Sequence, residues 1–232
     1  MRRSFFPFAF LALAASLIAA TSHASFNRCD LLLLPYMEID LQTTRPTQGG
    51  IGLRQVEKKQ KKLERFESDE EREAYLGDRP IPVVKGPGGL VYILDRHHLA
   101  LALLKIGTTK TRAYVVKDWS AIESEQEFVA LMTAKNWFHC FDGEGAPVPG
   151  PAWLPKTLLE LPDDPFRSLA STVRKKGAYV KVQADPFFSE FRWANFFRQR
   201  MVIRDWSDSV AHATQLALSP EASGLPGSIA SP

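Results

Sequence analysis

The sequence predicts an α+β protein, a small mixed core followed by a mostly helical C-terminal extension. Three observations predict it. Between residues 30 and 118, short apolar runs of strand character alternate with charged stretches of helical character. From 119 to 218 the apolar residues recur mainly at helical spacing. The composition is that of a packed domain: 232 residues, 45% hydrophobic and 24% charged. Such a chain can bury one core with an appended subdomain and is too apolar to be disordered.

The chain opens with the pattern of a secretory signal over residues 1–24. Arg2 and Arg3 form a positive start, and Phe5 to Ala20 is apolar apart from Pro7 and Ser16. Ser22-His23-Ala24 then offers small residues for a cut before Ser25. The apolar run is short for a membrane span, which needs about 20 residues, so the mature chain is expected to be exported, periplasmic or secreted, with no transmembrane span. Cleavage brings the formal net charge from +3 to +1. A near-neutral total does not favour a protein whose affinity comes from covering many phosphates. The two cysteines, Cys29 and Cys140, both survive cleavage, and an oxidising compartment permits a disulfide between them. Their positions do not say whether they meet.

Elements follow in order. Leu31 to Leu41 is an extended apolar run, and Thr43 to Gly50 is a loop of turn-forming residues. Ile51 to Phe66 is a charged helix with a sparse apolar stripe at Ile51, Val56, Leu63 and Phe66. Residues 54–73 hold seven basic and seven acidic side chains, which reads as a solvated, salt-bridged face. Glu67 to Leu76 forms a second short helix ended by Gly77. Ile81–Val84 and Leu90–Leu94 flank a Gly-rich turn and read as a hairpin. Asp95 stands at the expected N-cap of a helix whose apolar run, Leu99 to Leu104, ends at Gly107. Arg112 to Lys117 is a strand, and Glu123 to Trp137 an amphipathic helix. Asp164-Pro165 starts a helix over Phe166 to Lys176, Pro186 to Arg200 is rich in aromatics and arginine, and Asp205 to Leu218 is the last helix. The expected organisation is a signal over 1–24, a mixed domain over 25–118, a helical extension over 119–218 and a disordered tail over 219–232.

Two clusters can carry chemistry. The first is Asp95-Arg96-His97-His98 at a helix start. Free N–H groups and the helix dipole favour an anion there, and the two imidazoles can act as acid or base near neutral pH. The alternative is that Asp95 only caps the helix while one histidine packs in the core. The second cluster is Arg45-Pro46-Thr47-Gln48 with Gly52, Gln55 and Lys59, the last two sharing a helix face at i and i+4. A hydroxyl, an amide and an ammonium near a helix start suit a phosphate-bearing ligand; the plainer reading is a turn before an exposed helix. Adjacent histidines on a helix point about 100° apart, and no HExxH or CxxC accompanies them, so no metal site is assigned and no cofactor is named. Glu190 and Trp193 share one helical turn, either as a functional acid beside an indole or as a solvated glutamate beside a core ring.

Taken together, Pro46-Thr47-Gln48, Ile51-Gly52, Gln55-Val56, Lys59, Pro82-Val83-Val84, Tyr92-Ile93-Leu94-Asp95 and His97-His98 occur in a recognisable order. Asp164-Pro165-Phe166-Arg167-Ser168-Leu169-Ala170 and Glu190-Phe191-Arg192-Trp193-Ala194 continue it. The chain resembles the ParB-like nuclease family, a branch of the ParB/sulfiredoxin superfamily, over nearly its whole mature length. The resemblance implies a ParB/sulfiredoxin-like α+β core with a helical extension, and a phosphate or nucleotide held at the helix start bearing the histidines. It also implies two departures at that start. Arg96 stands where many relatives show Gly, and Leu99 where an Arg often follows the His pair. Gln48 stands where kinase-type relatives carry a glutamate base, and an amide cannot take a proton as a carboxylate does.

The expected function is nuclease or related phosphoryl chemistry, hydrolase or phosphotransferase. His97 and His98 are the candidate catalytic groups, and Thr47, Gln48, Gln55, Lys59, Asp95 and Arg96 the candidate phosphate or nucleotide ligands. The expected partner is a phosphate-bearing small molecule or nucleotide. The alternative is a non-catalytic exported module that binds a ligand, or a protein through an apolar patch on residues 186–206.

Overall fold

The computed structural model describes residues 36–182 and 188–231. Its strands are β1 (Tyr36–Asp40), β2 (Arg45–Pro46), β3 (Ile81–Lys85), β4 (Val91–Ile93) and β5 (Lys110–Asp118), joined in one mixed sheet of order β1-β5-β3-β4-β2. β5 pairs antiparallel with β1 and parallel with β3; β3 pairs antiparallel with β4, and β4 parallel with β2. The parallel β3–β5 pair requires a crossover, and the chain makes it through β4 and a helix. The expected β3–β4 hairpin forms, with Gly88 and Gly89 at positive φ in its turn. The signal residues 1–24 and Cys29 lie outside the described residues; Cys140 is half-buried.

The helices are α1 (Leu53–Leu63), α2 (Asp69–Gly77), α3 (His97–Lys105), α4 (Glu125–Ala134), α5 (Pro165–Lys175), α6 (Ser189–Arg198) and α7 (Trp206–Ala217). Most start where a short polar side chain can take an orphan N–H. Ser68 accepts from Glu71, Ser124 from Glu127, Asp164 from Arg167 and Asp205 from Asp208. α3 stops as the sequence expects, with Gly107 at φ 84 just past its end.

Three apolar clusters hold these pieces. One lies between the sheet and α1 and α3, and takes in Val56, Leu63, Ile81, Val83 and Leu101. The second gathers α5, α6 and α7 around Trp193. The third packs Phe128 and Met132 of α4 against Val84 and Leu94. Leu158 and Leu161 belong to the first cluster, so the later chain reaches back into the core built by the first 118 residues.

Residues 219–231, expected as a disordered tail, are instead packed. Ala222 is buried in the helical cluster, Trp193 Nε1 donates to the Pro226 carbonyl at 2.8 Å, and Val180 N–H donates to the Gly227 carbonyl at 2.9 Å. The Gly/Pro/Ser composition that suggested disorder here serves tight turns that fold the chain back onto Tyr179 and Trp193.

Candidate functional site

The His pair sits where β4 hands over to α3. Asp95 does not cap the helix, as its position suggested. Arg96 occupies the N-cap with φ 66, a left-handed conformation, and the Asp95 carboxylate accepts the Arg96 N–H at 2.6 Å. The left-handed residue turns the chain so that Asp95 falls before the helix rather than on its first turn.

The two histidines have different surroundings. His97 is buried, and its Nε2 accepts the Thr47 N–H at 3.2 Å. The Ile93 carbonyl is a second partner of His97 and also accepts the Thr47 hydroxyl at 2.7 Å. Burial, with Arg167 nearby, pushes the imidazole down to about 3, so it is neutral. Gln48 is buried too, and its amide donates to the Gly50 carbonyl at 2.8 Å. Thr47, Gln48 and His97 thus brace the loop after β2 against α3 and do not line the cleft described next.

His98 faces that cleft, and its Nε2 is buried with no hydrogen-bond partner. Burial holds its imidazole well below the ordinary value, helped by Arg167, His97, Lys59 and Lys175. The cleft has a volume of about 250 Å³. Gln55 and Lys59 come from α1, Asp95 and Arg96 from the turn before α3, and Arg167, Ser171, Arg174 and Lys175 from α5. Lys181 and the start of α6, Ser189 and Glu190, close it. Five of the residues expected at the site therefore converge: Gln55, Lys59, Asp95, Arg96 and His98. Thr47, Gln48 and His97 do not join them.

Of the other wall the sequence singled out only Glu190, as a functional acid or a solvated side chain, and the structure makes it a mostly buried partner of two arginines. Arg167 forms an ion pair with Glu190, and Arg174 Nε meets the same carboxylate at 2.5 Å. Burial opposes the charge on Glu190, yet the two guanidiniums outweigh it and hold the carboxyl below its ordinary value. Arg167 still has Nε and Nη1 buried without partners. Its guanidinium lies 5.2 Å from the Phe191 ring centroid, and Phe191 in turn packs on His139 at 4.0 Å. Helix α5 is set in place by Asp164, which accepts the Arg167 N–H at 2.9 Å and an Arg198 N–H at 2.7 Å. Gln55 ties α1 to α5 by donating to the Arg167 carbonyl at 3.2 Å. Arg167, Ser171 and Arg174 fall at i, i+4 and i+7, a polar stripe on a helix with an otherwise apolar inner face. That stripe was the available signal.

Among the described residues, six cations and two carboxylates surround this small space. Burial lowers the Lys59 ammonium, with Lys175 and Arg96 adding like-charge repulsion. A cluster of donors with uncompensated positive charge is a receptor for an anion. Among the described residues, no group of three or more His, Cys, Asp or Glu is placed to hold a metal ion. A larger depression of about 800 Å³, lined by Arg45, Tyr92, Phe138 and Trp153 among others, lies beside β2 and β4 and contains none of the orphaned buried atoms.

Residues 37–199 match the family model described as "Putative ParB-like nuclease". The match runs from β1 to just past α6 and so includes both walls of the cleft. A crystal structure of protein Atu1540 from Agrobacterium tumefaciens is similar to this chain, with 36% identity and a TM-score of 0.76, covering 85% of this chain and 99% of that one. No curated protein matches.

Proposed function

We propose, since this chain belongs to the ParB-like nuclease family, that the cleft between α1, α3, α5 and α6 binds a phosphate group and hydrolyses its ester bond. One observation carries this reading: His98 Nε2 and Arg167 Nε and Nη1 are buried, unpartnered and gathered at one cleft. Leaving buried polar atoms unpaired costs roughly 1–3 kcal/mol each; a bound phosphate would pair the Arg167 donors, and the attacking water would donate to His98 Nε2.

In this reading Arg167 and Arg174, fixed by Glu190, hold the phosphate oxygens. His98 is neutral and its Nε2 takes a proton from a water molecule as the water oxygen attacks phosphorus. The bound anion offsets the surrounding cations and makes that imidazole a stronger base. The P–O bond to the leaving group breaks, and Lys59, a stronger acid for being buried, gives the leaving oxygen its proton. His97 positions the loop and moves no proton. The enzyme would work outside the cytoplasm, as residues 1–24 suggest; a mature N-terminus at Ser25 is the check.

The first test is thermal denaturation of the purified protein with inorganic phosphate, pyrophosphate, nucleotides and short DNA and RNA, followed by assay for turnover. A ligand at 100 times its Kd adds about 2.7 kcal/mol of stability. Arg167→Gln is expected to abolish the shift. His98→Ala is expected to keep the shift and to lose about 100-fold or more in turnover. Full turnover in His98→Ala would remove the base assigned here. Binding with no turnover in either protein would leave the non-catalytic module.

A further inference from the structure

The depression of about 800 Å³ beside β2 and β4 shares no lining residue with the cleft. Its size falls within the roughly 300–1,000 Å³ of sites that hold small ligands. One side of it is a proline-rich loop. Pro151 opens a tight helical turn over Pro151–Trp153, in which the Trp153 N–H donates to the Gly150 carbonyl at 3.0 Å. The next residue, Leu154, is buried and donates its N–H to the Pro151 carbonyl at 3.0 Å. Arg45 of β2 donates to the Lys156 carbonyl at 2.7 Å and ties the loop to the sheet edge. The backbone around Trp153 is therefore fixed, yet its indole is 71% exposed.

A single exposed tryptophan needs no explanation, but Trp153 is not alone. Leu90, Tyr92, Val129 and Phe138 line the same depression. The Tyr92 ring is held 4.8 Å from buried Phe128 and edge-on to Phe138 at 6.3 Å. The aromatic floor is thus as fixed as the rim. Facing this apolar side are Arg45, Glu125, Gln126 and Lys156. Burial raises the Tyr92 phenol, Glu125 adds to the rise and Arg45 opposes it, so both charges reach the same hydroxyl. Aromatic rings present electron-rich faces that attract C–H groups. Guanidinium, carboxylate and amide are planar heads, each able to bond two adjacent polar atoms.

Such a lining suits a ligand with a C–H face and an edge of groups that both donate and accept. A purely apolar ligand would strip water from Arg45, Glu125 and Lys156 without replacing it. A proline-rich peptide would cover the rings, but its carbonyls only accept and leave Glu125 without a donor. An added β-strand would find few main-chain donors, because Pro46, Pro149, Pro151 and Pro155 have no N–H. Hydroxyl groups serve the carboxylate and the cations alike. We propose that this depression binds a saccharide, with a sugar ring stacked on Trp153 and its hydroxyls bonded by Arg45, Glu125 and Gln126. The site is independent of the phosphate reading of the cleft.

The test is calorimetric titration of the full chain with soluble cello-, malto- and chito-oligosaccharides and oligogalacturonate, with tryptophan emission recorded in parallel. A proline-rich peptide without lysine or arginine is the competing ligand. At least one oligosaccharide is expected to bind and to shift emission to shorter wavelength as Trp153 is covered. Trp153→Ala is expected to keep the melting temperature, abolish the spectral shift and weaken binding about tenfold or more. Glu125→Ala, also at an exposed position, is expected to weaken binding by about as much while the spectral shift at saturation remains. The inference is overturned if no oligosaccharide of the panel binds, or if either variant binds as tightly as the unaltered chain. It is equally overturned if the peptide binds more tightly than every oligosaccharide and Trp153→Ala abolishes that binding.

Discussion

Arg96 places a long cation at the mouth of the cleft in a backbone conformation that suits glycine, with φ 66. A non-glycine residue there carries roughly 1–2 kcal/mol of steric cost. The resemblance implied glycine at this position, and the geometry explains why: the turn from β4 into α3 needs a left-handed residue. Arg96→Gly is therefore expected to raise stability by about 1 kcal/mol, less whatever the extra freedom of glycine adds to the unfolded chain. It should at the same time weaken phosphate binding, because one of six cations is gone. Paired melting curves with and without phosphate measure both; a variant that is less stable would show that Arg96 makes contacts worth more than its strain. The same scale shows where sequence reading stops. His97 and His98 are neighbours of one residue type, and the spacing that put both at a helix start could not say which would brace a loop and which would face solvent-accessible space. Only the packing of Thr47 against Ile93 and His97 separates them.

Among the elements, α1 shows how closely the site depends on helix packing. Its N-cap is Gly52, which offers no side-chain acceptor. A Cβ there would stand 2.5 Å from Ser168 Oγ and 2.9 Å from the Ser168 backbone N. The glycine is required because α5 begins against it, and the Leu53 N–H finds its acceptor in Asp163 at 2.8 Å instead. Gly52→Ala is expected to cost about 1–3 kcal/mol through overpacking and to weaken phosphate binding by moving Gln55 and Lys59 away from Arg167. Ser168→Ala should not restore it, since the backbone contact remains. Denaturant midpoints of the single and double variants check this; rescue by Ser168→Ala would mean that α5 itself can give way. Helix boundaries were largely legible, because Ser68, Ser124, Asp164 and Asp205 announce themselves as caps within a few residues of what they start. Arg167 was not, because its meaning depends on Glu190, Phe191 and His98, none of them near it in sequence.

Across the whole molecule, acid stability follows from three buried imidazoles. Burial, with Arg167 beside both, takes His97 to about 3; His139 reaches about 4 from burial, Arg167 and Arg198. His98 is displaced in the same direction. As pH falls through 6.5 the unfolded chain takes up these protons and the folded chain does not. Stability is therefore full above pH 6.5 and declines toward pH 4, by about 1.4 kcal/mol per pH unit for each such histidine. Phosphate should reduce the His98 part of that decline, because it favours the protonated imidazole in the folded chain and so brings its titration closer to that of the unfolded chain. Chemical denaturation from pH 7.5 to 4.5 measures the slope, and a flat profile would mean that these rings are hydrated in solution. At this scale the mixed core and helical extension were legible from periodicity, whereas the ordered C-terminus was not, because turn-forming residues look the same in a free tail and in a chain folded back on Trp193. The cleft itself has walls made from residues before 99 and residues after 166. On the function proposed above, a chain whose α5 and α6 have not yet closed against α1 and α3 carries half of the phosphate receptor and none of its chemistry. The proposed activity would then arise only when α5 and α6 close against the first helices, as the last step of folding.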